Sequence, residues 1–390
     1  MSIPISSAVE RPSDFSPWLR TPVWDGFWLL SGLWLLPLIL AVATFPNGLS
    51  ALLILSTTFL WLAHRFGSMY SAFCCPAYRE LVREQHFRFV VAPCLIFLLT
   101  FIFIYLPDLW ISPVAKLLIL GSIFFIVNSY HFAVQHYGVL SIYRIRAGQS
   151  TTEKFKAYEK NVCLIVGGLL VAVGQICHGA EVVDESLFYQ LFSRERVHAV
   201  LGIMQVLAPM LILALVVPLL RAELRHERSS TPKIVYLVGL AIQGIAAFFL
   251  DPLPFLILWA VQHWLVSVAL AAHMAENDRS EVDPGTLPRW YRFWRPVSRK
   301  FLFTVAALVL LSLLLTPLLR VPINLLRGSE VPQLSAWLIP YLQYEKVILF
   351  LIALNFASVY VHFVYDRAIF RFSNPSVRKV SVPLLFRRSP

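Results

Sequence analysis

The sequence predicts an all-α integral membrane protein, a polytopic bundle of about ten transmembrane helices with both termini in the cytoplasm. Three observations indicate this class. The chain is 58% hydrophobic and only 14% charged, its apolar runs extend for roughly 18 to 30 residues, and its lysines and arginines gather in alternate connecting segments. An average soluble domain has about 25% charged residues. This chain has too few charged residues to cover a water-exposed surface. Lipid is therefore the expected solvent.

The apolar runs form one predicted transmembrane domain, residues 24–366. A cytoplasmic segment, 1–23, precedes this domain, and a basic cytoplasmic tail, 367–390, follows it. The first run is interpreted as a retained helix, because the polar residues before it lack the basic start of a cleavable signal peptide. The predicted spans are 24–45, 50–74, 88–106, 112–142, 161–178, 197–220, 233–251, 254–275, 300–319 and 343–365.

The distribution of positive charge predicts the orientation. With the N-terminus inside, most of the 33 lysines and arginines fall in inner segments, as the positive-inside rule requires. The net charge of +11 then reflects topology, and we expect the lipid bilayer rather than nucleic acid as a partner. The basic, aromatic loop 276–299 is expected on the inner leaflet and 321–342 outside. A bacterial inner (cytoplasmic) membrane is the expected location.

Polar side chains repeat at intervals of three and four residues on several predicted spans, and each such stripe includes a histidine. Ionisable groups are costly inside a membrane and usually face the bundle interior, a cavity or a partner. The stripes are Thr57, Trp61, His64, Ser68 and Ser71 on the second span; Asn128, His131 and Gln135 on the fourth; Gln262, His273 and Glu276 on the eighth, beside His263 and Ser267; and Asn355, Ser358, His362 and Asp366 on the tenth.

Several histidines fall in the inner half of the bilayer or at its inner edge under this orientation. Neutral imidazole is the commonest protein ligand for iron, zinc and copper, so we predict a metal site there. Nearby carboxylates, amides and further histidines would be alternative ligands or would orient the ligands. The predicted ligands are His64, His131, His136, His273 and His362. The supporting residues are Asn128, Gln135, Gln262, His263, Glu276, Asp366 and His86.

Short motifs carry a resemblance to a known family: His64-Arg65-Phe66-Gly67, His131-Phe132, His136-Tyr137-Gly138, His263 and His362-Phe363-Val364-Tyr365-Asp366. They resemble motifs of the Brp/Blh carotenoid-cleaving dioxygenases, in which histidines on separate membrane helices hold one iron. The resemblance implies a helical bundle around such an ion. The chain is longer than that family and lacks its Gly-Leu-Pro-His-Gly and His-x-x-x-His patterns. It also lacks the H-x-x-H-H boxes of membrane desaturases and hydroxylases, which it resembles in having inner-side histidines.

The leading functional hypothesis is a membrane-embedded non-haem iron oxidoreductase, oxygenase-like or desaturase-like, that acts on a lipid or isoprenoid from the cytoplasmic side. Iron is the expected cofactor, with another transition metal as an alternative. An electron-donor protein is an expected partner, and catalytic residues stay unassigned. Two other classes fit the same stripes. One is a transporter or channel with a His/Asp proton or ion pathway, and the other is a scaffold whose stripes join helices by hydrogen bonds.

Overall fold

The computed structural model describes residues 16–182, 193–278, 299–326 and 344–386. Over these ranges the chain forms fifteen α-helices and no β-strand, so the all-α class is confirmed. The helices are α1 Pro22–Trp28, α2 Gly32–Val42, α3 Gly48–Ser56, α4 Leu62–Cys74, α5 Arg79–Glu84, α6 Ala92–Ile104, α7 Pro113–Arg146, α8 Glu153–Leu164, α9 Val171–Val182, α10 Arg194–Leu224, α11 Thr231–Ala246, α12 Pro252–Glu276, α13 Phe301–Leu326, α14 Glu345–Phe370 and α15 Pro375–Phe386.

Three π-helical segments interrupt or extend these helices. Thr57–Trp61 joins α3 to α4, Phe87–Val91 precedes α6, and Ile165–Leu170 joins α8 to α9. The predicted interfacial loop lies mostly outside the described residues, at 279–298, as does most of the predicted external loop, at 327–343. The external loop begins later than expected, because α13 continues to Leu326.

Seven helical runs among the described residues are long and apolar enough to cross a membrane. A run of 20 residues rises about 30 Å, the thickness of the hydrocarbon core. These runs support a multi-pass membrane protein. They are Gly48–Cys74, Phe87–Ile104, Pro113–Arg146, Glu153–Cys177, Glu195–Leu224, Pro252–Glu276 and Glu345–Phe370.

The predicted count of ten spans requires three further crossings. The helices α1 and α2 are together long and apolar enough to cross a membrane, but they are bent by 55° at a short break. The apolar helix Thr231–Ala246 has 16 residues, which rise only about 24 Å, so it would cross only where the bilayer thins. In α13, which continues to Leu326, the apolar stretch is Phe301–Thr316. The count of ten and the cytoplasmic termini therefore stay predictions.

Helix α12 is the centre of the bundle. In its most apolar window 94% of the residues are buried, whereas the other six runs bury between 22% and 50% of theirs. Helices α2, α4, α13 and α15 pack against it. A polar side chain on α12 therefore faces protein rather than lipid on almost every side.

A close helix approach fixes α7 against the π-helical segment Ile165–Leu170. A Cβ atom on Gly168 would lie 2.9 Å from Cβ of Ala133, and one on Gly167 would lie 2.5 Å from Cδ2 of His136. Both separations are too short for a side chain, so glycine lets the two backbones meet.

The C-terminal tail, predicted as a basic cytoplasmic segment, contains α15, which packs against α12 and α14. His273 Nε2 lies 2.9 Å from the carbonyl oxygen of Leu385. The hydroxyls of Tyr78 and Ser381 lie 2.7 Å apart, and burial raises the pKa of the Tyr78 phenol, which stays neutral. Residues 375–386 thus belong to the bundle rather than to a free tail.

A buried ion network joins α7, α8, α10 and α11. The Nζ atom of Lys233 lies 2.9 Å from Oε1 of Glu159 and 2.9 Å from Oε2 of Glu223. Arg144 also pairs with Glu159. Each carboxylate therefore has a cationic partner, which offsets the cost of removing these charges from water.

Candidate metal centre

Four histidines from four different helices meet beside the central helix. They are His64 on α4, His131 on α7, His263 on α12 and His362 on α14. Around this four-histidine cluster the ring centroids are 4.7 Å apart for His64 and His362, and 5.2 Å for His362 and His131. They are 4.9 Å apart for His131 and His263, and 5.1 Å for His263 and His64. The rings form a closed quadrilateral, with His263 and His362 6.4 Å apart across it.

Most of the ring nitrogens of the cluster make no well-aligned hydrogen bond to the described residues. His64, His263 and His362 are buried, and His131 is nearly so. Within the described part of the chain, no well-aligned hydrogen bond is made by Nδ1 of His64, by Nε2 of His131 and His263, or by either nitrogen of His362. Asp366 lies near two of these atoms, Nε2 of His131 and Nδ1 of His362. Buried polar atoms are almost always satisfied, so unpaired atoms gathered in one place require an explanation. A bound cation that accepts their lone pairs would supply it.

Two overlapping groups of ligand atoms are each compact enough to hold a metal ion. One consists of His64, His263 and His362, and the other of His131, His362 and Asp366. Within each group the ligand atoms lie within 4.8 Å of one another. Because His362 belongs to both, the two groups are adjacent and overlap. A donor set of several imidazoles and one carboxylate suits a transition metal such as iron, zinc or copper.

Asp366 connects two of the rings. Its Oδ2 lies 3.2 Å from Nε2 of His131, and its Oδ1 lies 3.4 Å from Nδ1 of His362. The Ser68 hydroxyl donates a hydrogen bond to Oδ1. His362 and Asp366 are four residues apart on α14, which places them on the same helix face. Asp366 can therefore bind an ion itself or orient the two imidazoles.

Gln135 orients the His263 ring. Its Oε1 lies 2.6 Å from Nδ1 of His263, so Nδ1 donates the hydrogen bond. Its Nε2 donates to Oγ of Ser267, 2.9 Å away, which sets the direction of the amide. With the proton on Nδ1, the lone pair of His263 is on Nε2, the atom without a partner among the described residues.

Aromatic rings surround the cluster. Trp264 stacks on His64 with centroids 5.6 Å apart and planes 23° apart. The Phe132 centroid lies 3.9 Å from that of His263. The Phe363 centroid lies 4.9 Å from that of His131. These rings limit the rotamers of the imidazoles and keep the surroundings apolar, which strengthens any interaction between the cluster and a charged ligand.

The sequence matches no protein-family model, no curated protein and no solved structure. Function is therefore argued from the chemistry of the site.

Two of the predicted ligands lie elsewhere in the bundle. His136 Nδ1 lies 2.8 Å from the hydroxyl of Tyr236, on the side of α7 that faces α11. Five residues separate His136 from His131, which turns it about 140° around the helix axis. His273 bonds the C-terminal helix instead. The structure therefore does not bring these two histidines to the cluster.

Several supporting residues are also remote from the cluster. Glu276 pairs with Arg20 at 2.7 Å. A Cβ atom on Gly32 would lie 2.8 Å from Oε1 of Gln262, so this amide packs against α2. Asn128 is half-buried and has no hydrogen bond to the described cluster residues, and His86 is exposed.

His263 was predicted in a supporting role, and Ser68 and Ser267 only as members of polar stripes. The structure makes His263 a full member of the ring. Ser68 bonds Asp366, and Ser267 bonds Gln135. The signal for the serines was present, since each lies four residues after a cluster histidine. That spacing places the two side chains on the same face of a helix.

Proposed function

We propose that this protein is a membrane-embedded non-haem iron oxidoreductase that acts on a lipid or isoprenoid. His64, His131, His263 and His362 would hold the ion, with Asp366 as a further ligand or as the group that orients His131 and His362. The observation that carries the proposal is the ring of four histidines from four helices, with unpaired nitrogens in one buried place.

The dimensions of the ring suit one ion. A metal–nitrogen bond of about 2.0–2.1 Å leaves the imidazole centroid about 3 Å from the metal. Half of the 6.4 Å diagonal between His263 and His362 is 3.2 Å, which is close to this metal–centroid distance. The four edges, from 4.7 to 5.2 Å, are shorter than this diagonal, as expected for neighbouring ligands around a common centre.

The protein residues would supply orientation and an apolar surround. Gln135 and Asp366 direct the lone pairs of the imidazoles, and the rings of Phe132, Trp264 and Phe363 exclude water. A bound iron would supply oxidation chemistry with O₂, since four imidazoles leave coordination positions open. In the predicted orientation the cluster lies towards the cytoplasmic face. An electron-donor protein would dock on that face, and a lipid substrate would reach the site from the bilayer.

A proton or ion pathway is the second candidate. The observation that favours it is Asp366, which lies between His131 and His362 at 3.2 and 3.4 Å and could relay a proton between them. Such a relay needs no metal, so metal content separates the two proposals.

The test is metal content by mass spectrometry on purified full-length protein, kept reduced and free of chelators. His131 and His136 make a matched pair, since both lie on α7 and only His131 belongs to the cluster. We expect about one iron per chain in the wild type and in His136→Ala, and little in His131→Ala or His263→Ala.

A wild-type protein without stoichiometric metal would contradict the proposal and favour the pathway. Equal loss of metal in His131→Ala and His136→Ala, with both variants eluting as the wild type does, would exclude this ligand set. If iron is found, oxygen consumption in the presence of membrane lipids is the next assay.

A further inference from the structure

Arg65 is a buried cation beside the cluster. It follows His64 on α4, in the run Gly48–Cys74 that is long enough to span a membrane, and its exposed fraction is 4%. No carboxylate among the described residues lies within 4 Å of its guanidinium. A buried arginine in a membrane is costly and is usually paired or functional.

One side of the guanidinium is held by α14. Its Nη1 donates to Oδ1 of Asn355 and to Oγ of Ser358, each 3.0 Å away. The ring of Trp61 lies over it, with Cζ 4.1 Å from the ring centroid. These contacts set the plane of the guanidinium but provide no negative charge.

The other side of the guanidinium has no acceptor in the described part of the chain. Its Nε is buried without a hydrogen-bond partner, and no described residue accepts a hydrogen bond from Nη2. The Nε–H and Nη2–H groups point in the same direction and match the two oxygens of a carboxylate.

We propose that the Nε/Nη2 edge of Arg65 binds the carboxylate of the substrate, so that the substrate is a lipid acid, with an alkyl or isoprenoid chain. Arg65 provides a single positive charge, which one carboxylate neutralises. A phosphate monoester carries about −1.5 to −2 at neutral pH and would keep excess negative charge in an apolar place. Of these two anions, the carboxylate fits the single charge of Arg65.

The position of Arg65 suits a substrate that reaches the cluster. The two helices that hold its guanidinium, α4 and α14, also carry His64 and His362. Asn355 precedes His362 by seven residues, which is on the order of 10 Å along the helix axis. Helices α4 and α14 pack against each other, so a lipid acid anchored at Arg65 would run along this helix pair and present a carbon several bonds from its carboxylate to the cluster.

The π-helical segment Thr57–Trp61 lies next to this site. Trp61 ends the segment, four residues before Arg65, and is half-buried. Such segments often occur at functional sites. A lipid acid would reach Arg65 past the Trp61 ring, which covers the guanidinium.

The inference about the substrate rests on the proposed function, whereas carboxylate binding at Arg65 does not require iron. The test therefore measures binding of radiolabelled oleate and of its neutral methyl ester to the full-length protein, both metal-free and iron-loaded. We expect the wild type to bind oleate at least about tenfold more tightly than the ester in both forms.

Arg65→Gln should lose this preference and keep the wild-type iron content, and Arg65→Lys should restore it only in part, because an ammonium lacks the two-pronged geometry. Arg88→Gln, whose guanidinium contacts a backbone carbonyl near the end of α14, is the matched control and should bind oleate as the wild type does.

Equal affinity of the wild type for oleate and its ester would overturn the inference, and this comparison needs no variant to fold. An undiminished preference in folded Arg65→Gln would also overturn it. Protein that lacks iron but binds oleate through Arg65 would retain the carboxylate site and refute only the proposed function. Protein that holds iron but does not prefer oleate would retain the proposed function and refute the carboxylate site at Arg65.

Discussion

Replacing Asp366 by asparagine removes the one carboxylate that contacts the four-histidine cluster within the described residues. The side-chain volume stays nearly the same, but the negative charge is lost and one oxygen becomes an amide nitrogen. The affected contacts are 3.2 Å to Nε2 of His131 and 3.4 Å to Nδ1 of His362. The bond from Ser68 survives only if the amide oxygen occupies the position of Oδ1.

The expected magnitude follows from these contacts. Replacing a carboxylate that orients metal-binding histidines typically costs a factor of 10 to 100 in metal affinity. This corresponds to about 1.4 to 2.7 kcal/mol. Asp366 contacts two of the four rings, so we expect Asp366→Asn to lie towards the upper end. If Asp366 is itself a ligand, the loss will exceed this range.

The assay is a competition titration, in which a chelator of known affinity is added to iron-loaded protein and the released metal is followed. Glu276→Gln is the matched control, because Glu276 was the other predicted carboxylate but pairs with Arg20. A shift in Asp366→Asn alone would support the site. Equal shifts in the two variants, or none in Asp366→Asn, would refute the reasoning.

Two further predictions concern the supports of the bundle. Lys233→Met leaves two buried glutamates without their shared cation, so we expect the free energy of unfolding to fall by about 3–5 kcal/mol. A lower Tm in detergent would show this, and an unchanged Tm would mean that the network contributes little. His273→Ala removes the hydrogen bond to Leu385, worth about 1 kcal/mol. Trypsin should then cleave the C-terminal helix about fivefold faster with iron content unchanged, whereas unchanged cleavage would show that apolar contacts suffice.

Helical periodicity identified much of the site before any contact was known. The stripe on α14 placed His362 and Asp366 on one face, and the structure brings both to the cluster together with His64 and His131. Side chains three or four residues apart share a helix face whatever the surroundings, so this part is a local property. The burial of α15 was not foreseen, because basic residues of the tail obscured its short apolar face.

The same four residues occur twice, as Ala133-Val134-Gln135-His136 and as Ala260-Val261-Gln262-His263, and this repeat shows where periodicity stopped being informative. Gln135-His136 on α7 and Gln262-His263 on α12 have the same sequence but opposite outcomes. On α7 the glutamine faces the cluster, and on α12 the histidine does. Consecutive residues lie about 100° apart around a helix. Only one of each pair can point inward, and which one depends on how the whole helix is rotated.

The sequence by itself determined the helical membrane class, because hydrophobicity and the length of apolar runs are properties of each segment alone. It also determined which faces are polar. The tertiary structure decided which of those faces meet, because the rotation and neighbours of each helix are set by packing among all of them. Tertiary packing alone keeps His136 and His273 away from the cluster and brings His263 into it. It also leaves one edge of Arg65 unpaired among the described residues. Each of these outcomes depends on contacts between helices far apart in the chain.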